Sequence, residues 1–442
     1  MTNSTTKRML FISYVYPPSG GGGVQRSVKF VRYLPDFGWA PTVLTATNPS
    51  VPVQDPDLLD ELDPGTEVIR SRTFEPSYHA KQSLVGTGSR SGGKLGKLIK
   101  AQVRRIGMSL LQPDPQVLWN TSAKRAAQKA LEKSSYQAIY ATGPPFSSFL
   151  LAAQLKRRTG IPLILDFRDE WLIASRYLDN YQHTGISDWR QRRMLRRVLR
   201  AADAVLTTTM ASRDELTAKV SDAGGHAKVH CIYNGYDSRD MPSSESVSAD
   251  PNRIRIVYTG TLWKLTDVTP MVEALITLNQ TDPKAASKID FVIAGRITDA
   301  QQSVVDRLKT TSVGLQCHGY LPHRESLHLA QSADVLLLLL ADQPGAERVV
   351  PAKLFEYLAL QKPVLSICGS GEVASIVQCY SHVSRFDPRQ SEMIAAWLRS
   401  RLENLEPGNA ISSEPIEQFS RRSQAKTLSH IASDLSIGRE VL

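Results

Sequence analysis

Four consecutive glycines, Gly20 to Gly23, stand behind the apolar run Met9-Leu10-Phe11-Ile12-Ser13 and the turn Tyr16-Pro17-Pro18-Ser19. Glycines after a strand let backbone N–H groups close on a phosphate, and the helix that follows offers its positive end. Gly22 and Gly23 are the candidates for such a contact, although the spacing is not the dinucleotide fingerprint and a plain flexible turn leaves the same signature. A second polar group, Asp166-Phe167-Arg168-Asp169-Glu170-Trp171, stands at the C-terminal end of another apolar run, Pro162-Leu163-Ile164-Leu165. No covalent nucleophile is evident. The nine histidines are dispersed, and no Asp-x-Asp stands at a strand end, so a metal-independent reaction is expected.

These groups need a scaffold that brings strand ends together. Val24, Val28, Val31 and Leu34, spaced three or four apart, predict a helix that ends at Gly38, and Thr42-Val43-Leu44-Thr45 predicts a second strand. Strand, glycine loop, helix, strand is the opening unit of a parallel sheet. The rhythm returns with Ala138-Ile139-Tyr140-Ala141, a helix over Ser147 to Arg158, a basic helix over Arg190 to Arg200, and strands at Ala204-Val205-Leu206-Thr207 and Val229-His230-Cys231-Ile232. Residues 238–252 are polar, rich in Ser, Pro and Asp, and read as a linker. A second series follows, with strands at Ile254 to Tyr258, Phe291 to Ala294, Leu315 to Tyr320, Asp334 to Leu340 and Pro363 to Ser366, and helices at Thr269 to Leu278 and Ala352 to Leu360. The expected fold is α/β: two doubly wound parallel-sheet domains, 1–237 and 253–410, facing a cleft lined by strand C-termini. A helical segment, 411–442, is expected to pack back on the first domain.

Taken in order, the motifs resemble glycosyltransferase family 4, whose architecture is GT-B. In the first half the resemblance rests on Tyr16-Pro17-Pro18 with Gly20 to Gly23, Gly143-Pro144-Pro145-Phe146-Ser147, Asp166 to Trp171, Ala202-Asp203-Ala204-Val205 and Asn234-Gly235-Tyr236-Asp237. In the second half it rests on Tyr258-Thr259-Gly260-Thr261, Gly319-Tyr320-Leu321-Pro322, Ala333-Asp334-Val335 and Pro351 to Leu358. Asp114 and Trp119 resemble a subgroup near the cell-surface polysaccharide transferases.

The resemblance implies a retaining transfer of a sugar from a UDP- or GDP-linked donor to an acceptor hydroxyl, with no cofactor and no metal. It implies that the second domain binds the nucleotide sugar and the first takes a glycan or lipid-linked acceptor. Glu356 corresponds to the second glutamate of the family's paired-glutamate motif and would accept hydrogen bonds from the donor ribose. Lys353, one turn earlier on the same helix face, would meet a donor phosphate. The first glutamate of the pair is replaced by Arg348, and the arginine and lysine usual after Gly260 are replaced by Thr261 and Thr266. Lys264, Arg296 and Arg348 are the candidates to supply the missing phosphate clamp, each being a surface cation in the plainer alternative. Asp169, beside Arg168, is the candidate to orient the acceptor hydroxyl and take its proton; a carboxylate that pairs with Arg168 or caps the next turn fits equally.

Bulk properties set the frame for these assignments. The chain has 442 residues, 41% hydrophobic and 22% charged, with a formal net charge of +10. Its four cysteines are scattered singly, which points to a reducing compartment and a cytoplasmic enzyme. The longest apolar run, Val335 to Ala341, is strand-sized. The positive charge suits an anionic donor or the anionic inner face of a plasma membrane; nothing interleaves aromatics with the basic residues as nucleic-acid binding would need. Lys94, Lys97, Lys100, Arg104 and Arg105 alternate with an apolar stripe, as in an interfacial helix, while a surface helix packed on its own domain is the preferred plain reading. Two rival functions remain: a nucleotide-sugar 2-epimerase of the same fold, and a non-catalytic glycan- or membrane-surface-binding protein.

Overall fold

The computed structural model describes residues 6–51, 54–75, 111–171, 185–242, 252–403 and 415–440. The basic stretch from Lys94 to Arg105 lies outside them, as does most of the expected linker. The chain divides into two compact units, Met1–Tyr233 with Arg421–Leu442, and Asn234–Ser420.

The first unit is built on a seven-stranded sheet in the order β3-β2-β1-β4-β5-β6-β7. Its strands are β1 (Lys7–Ile12), β2 (Trp39–Ala46), β3 (Glu67–Ser71), β4 (Ala138–Gly143), β5 (Leu163–Phe167), β6 (Ala204–Thr207) and β7 (Lys228–Cys231), all paired in parallel. Every residue of β4, β5 and β6 is buried, as parallel strands covered on both faces must be. The main helices are α1 (Gly22–Tyr33), α2 (Asn120–Lys133), α3 (Ser147–Thr159), α4 (Gly185–Ala201) and α5 (Met210–Asp222). Alternation along the strands sorts their side chains onto two faces. Leu10, Ile12, Ile139 and Leu165 meet α2 to α5, whereas Met9, Phe11, Tyr140 and Ile164 meet Val24, Val28 and Val31 of α1.

The second unit has a six-stranded parallel sheet in the order β10-β9-β8-β11-β12-β13. Its strands are β8 (Ile254–Thr259), β9 (Ile289–Ala294), β10 (Gly314–Cys317), β11 (Val335–Leu340), β12 (Val364–Cys368) and β13 (Val383–Phe386). The main helices are α6 (Thr269–Thr281), α7 (His323–Gln331), α8 (Lys353–Leu360) and α9 (Ser391–Glu403). Strand β11 is one valine and five leucines, all buried, each contributing roughly 1.5–3 kcal/mol. Helices α6 and α9 cover one face; α7 lies against β8 and α8 against β11 on the other. The fold class expected from the sequence is therefore observed: two doubly wound parallel-sheet units.

The first unit also holds α10 (Arg421–Glu440) at the end of the chain. Its Ala425, Leu428, Ile431 and Ala432 are buried with Val24, Val28 and Trp39, and Arg422 pairs with Asp36 at 3.1 Å. The unit boundary falls at Asn234, ahead of the expected residue 237. The Tyr236 N–H donates to the Phe419 carbonyl at 3.2 Å, which ties Asn234 to Asp237 into the second unit alongside the returning chain.

Candidate active site

In the first unit the candidate residues gather at the C-terminal ends of β1, β4 and β5. Gly21, in a left-handed conformation with φ 98°, turns the chain into α1, which Gly22 opens. Arg168, just past β5, donates through its two terminal nitrogens to the carbonyls of Gly23 and Pro144, while its backbone N–H meets the Gly143 carbonyl at 3.0 Å. A Cβ on residue 23 would meet the guanidinium, so any side chain there would push Arg168 off the Gly23 carbonyl. Arg168, which the sequence offers as a catalytic candidate together with Asp169, ties the glycine loop to the proline turn through its two terminal nitrogens. Burial lowers its pKa, with Asp169 and Asp166 opposing.

Asp169 is exposed and makes no hydrogen bond or ion pair among the described residues, so neither the pairing with Arg168 nor the turn cap is formed. Although exposed, it is pushed above the ordinary carboxylate range by desolvation from the protein around it, with Arg168 opposing. Asp166, three residues earlier, is fully buried and bound bidentately by Arg26 of α1 at 2.8 and 2.9 Å, with the Tyr140 hydroxyl donating at 2.5 Å. Arg26 also donates to the Tyr233 carbonyl at 2.8 Å, which fixes α1, β4, β5 and the chain leaving β7 to one another.

Asp114 lies at the same edge, where its Oδ2 accepts the Ser147 N–H at 3.0 Å and caps the start of α3. Its other oxygen is buried without a partner, and burial pushes the carboxyl up to about 6, the Ser147 hydrogen bonds opposing. The sequence marked Asp114 only as part of a resemblance; its place at this edge is a structural finding.

In the second unit the sheet reverses direction of growth between β8 and β11, the position at which doubly wound sheets bind ligands. Gly260 ends β8 with φ 119°, and its missing Cβ leaves room for Lys353, whose Nζ would lie 2.5 Å from that atom. The Lys353 ammonium sits 3.9 Å from the centre of the Tyr258 ring, a cation–π contact. Burial pulls its pKa down, with Tyr357 and Glu356 opposing. The Tyr357 hydroxyl accepts the Thr259 N–H at 3.0 Å and fastens α8 to the end of β8. Because Lys353 and Glu356 stand three apart in α8, the same helix face carries both. His323, the first residue of α7, donates from Nε2 to Glu356 Oε1 at 3.0 Å, a partner the sequence did not disclose although it follows the Gly319–Pro322 turn directly.

The structure thus brings Gly260, Lys353 and Glu356 together. Lys264 is exposed in the loop after β8 and Arg296 in the loop after β9, with the Leu262 N–H bonded to the Arg296 carbonyl at 2.8 Å. Arg348 is half-buried in the short 3-10 turn Ala346–Arg348 that precedes α8.

Residues 21–235 match the family model described as the glycosyl transferase 4-like domain. No curated protein sequence matches the chain. Among solved structures it is similar to the sucrose-phosphate synthase of Thermosynechococcus elongatus, at 14% identity over 97% of this chain and 99% of that one, with a TM-score of 0.63. It is also similar to Anabaena HepE in complex with UDP and glucose, at 15% identity over 98% and 99% of the two chains and a TM-score of 0.54. A third likeness is to WaaG, a glycosyltransferase involved in lipopolysaccharide biosynthesis, at 14% identity over 97% and 98% and a TM-score of 0.52. At such identities the likeness is one of fold. Residues 21–235, just under half of the chain, match the glycosyl transferase 4-like domain, and the whole chain has the GT-B architecture of the glycosyltransferases it resembles.

Proposed function

We propose that the chain is a retaining, metal-independent glycosyltransferase that moves a sugar from a UDP- or GDP-linked donor to an acceptor hydroxyl during synthesis of a polysaccharide or other cell-surface glycan. The observation that carries the reading is the meeting of Lys353 and Glu356 with Gly260 at the switch point of the second sheet. There Glu356 takes the donor ribose. Lys353 takes the diphosphate, whose charge grows as the glycosidic bond breaks, so a cation fixed in place favours the transition state. HepE, similar in fold, is in complex with UDP and glucose, and WaaG acts in lipopolysaccharide biosynthesis.

In the first unit, Asp169 orients the acceptor hydroxyl and takes its proton; its raised pKa brings a carboxylate closer to the basicity such a role needs. Gly22 and Gly23, in the first turn of α1, offer backbone N–H groups to a donor phosphate, and Arg168 holds the carbonyl of Gly23. Lys264, Arg296 and Arg348 add positive charge around the donor. The acceptor is a glycan or lipid-linked molecule at the inner face of the plasma membrane. Helix α4 supports that location, because it exposes Ile186 and Trp189 beside the exposed Arg192, Arg193, Arg196 and Arg197. No helix among the described residues is long and apolar enough to cross a membrane.

The test is donor hydrolysis and transfer measured over UDP- and GDP-sugars, with EDTA present and with Glu356→Ala as control. Turnover that survives EDTA and collapses in the variant is expected. Conversion of a free donor into its 2-epimer without acceptor, or no binding of any donor, overturns the transferase reading.

A further inference from the structure

Glu356 reaches its place on a side chain with three rotatable bonds, yet a ribose contact needs one carboxylate orientation. Freezing such a chain costs up to about 2 kcal/mol, so something must hold it before the donor arrives. The structure supplies the holder from another helix. His323 begins α7 behind Pro322, and α7 and α8 cover the same face of the sheet. Its Nε2 lies 3.0 Å from Glu356 Oε1, while its Nδ1 faces Asp240 Oδ2 at 3.9 Å. Histidine and glutamate are about one-fifth exposed at the side chain, 23% and 20%, and Asp240 is 4% exposed. The imidazole therefore stands between two carboxylates, one buried and one at the donor edge.

We propose that His323 is a positioning residue for the donor. It holds Glu356 Oε1, so that Oε2 is presented to the ribose hydroxyls, and Asp240 steadies the far side of the imidazole. The inference rests on the assignment of Glu356 to the ribose. A hydrogen bond to a charged group, occupied before binding, removes the orientation cost from the binding step. Its loss should weaken donor binding and leave the chemical step alone, a change in KM and not in kcat.

The experiment is calorimetric binding of UDP and GDP and of their 2′-deoxy forms, with steady-state kinetics on the productive donor. The variants are His323→Phe, which keeps an aromatic ring without the donor, His323→Gln, which keeps an N–H near the position of Nε2, Asp240→Asn and Glu356→Ala. His323→Phe should lose about tenfold in affinity and raise donor KM by the same factor with kcat within about twofold. His323→Gln should recover most of the loss, and the preference for UDP over 2′-deoxy-UDP, or for GDP over its 2′-deoxy form, should shrink in His323→Phe. Equal loss in both histidine variants marks a packing role and overturns the proposal, as does unchanged affinity in His323→Phe while Glu356→Ala loses it. If Glu356→Ala binds as the native chain does, the ribose assignment itself fails and the proposal with it. Should His323→Phe not fold, His323→Gln and Asp240→Asn decide: native affinity in the first with a loss of at least about threefold in the second supports the relay, and any other pattern overturns it.

Discussion

Replacing Gly260 by alanine probes the donor site through one atom. The new Cβ would lie 2.5 Å from Lys353 Nζ, and ordinary contact begins at 3.4 Å, so the ammonium must retreat by about 1 Å. It is the free end of a flexible side chain and can do so by leaving the Tyr258 ring. For a phosphate about 4 Å away and an effective dielectric of about 20, the attraction is about 4 kcal/mol, falling to about 3.3 kcal/mol at about 5 Å. The difference corresponds to a rise of about fourfold in donor KM. Separately, alanine at φ 119° carries about 1–3 kcal/mol of backbone strain, which should lower the melting temperature by between a few degrees and about 10 °C. Donor kinetics of Gly260→Ala, Lys353→Met and the double variant separate the two effects. If the ammonium transmits the change, the KM penalty of Gly260→Ala disappears in the Lys353→Met background, while the thermal penalty persists. An equal KM penalty in both backgrounds, or an unchanged KM in the folded single variant, refutes the assignment of Lys353 to the phosphate.

Other perturbations address the acceptor-side unit. Arg26→Met leaves the buried Asp166 carboxylate with hydroxyl partners alone and should cost about 3–5 kcal/mol in urea unfolding; a loss below about 1 kcal/mol would mean that water reaches the site. Asp114 has its folded pKa raised to about 6 from 3.8, so its contribution to stability is full below about pH 4 and is lost as pH rises through 6. Urea titrations of the native chain and Asp114→Asn should therefore diverge between those pH values, with the native chain losing ground as pH rises, and parallel curves would contradict the buried carboxyl. Changing Trp189 to alanine and Arg192, Arg193, Arg196 and Arg197 to glutamine should weaken flotation with anionic vesicles. The native binding should itself fade as salt rises, and equal flotation of both forms would leave α4 as ordinary surface.

What the sequence made legible were the central strands, because burial on both faces writes them as unbroken apolar runs, as in β11. Edge strands β3 and β13 were missed; Glu67 to Ser71 and Val383 to Phe386 are short, mixed in polarity and partly exposed. Helix α2 was missed as well, since its buried face is three alanines, too weak an apolar signal to stand out. At the site, Glu356 was visible through the family resemblance, and Lys353 because helical spacing puts it on the same face as Glu356. The partnership of Glu356 with His323 joins residues 33 apart through the stacking of two helices, which no local pattern encodes. Arg168 was noticed for its charge, but its function depends on two carbonyls contributed by distant loops.

The placement of α10 bears on how the molecule is made. Synthesis runs from the N-terminus, and domains generally fold as units as they emerge. Here the second unit, Asn234–Ser420, is complete before the first, whose core awaits Ala425, Leu428, Ile431 and Ala432. Until those residues leave the ribosome, the side of this core that α10 closes, at α1 and Trp39, stays open, and the nascent chain presents apolar surface to chaperones and to other chains. Truncation ahead of Arg421 would therefore take part of the core from the first unit and spare the second.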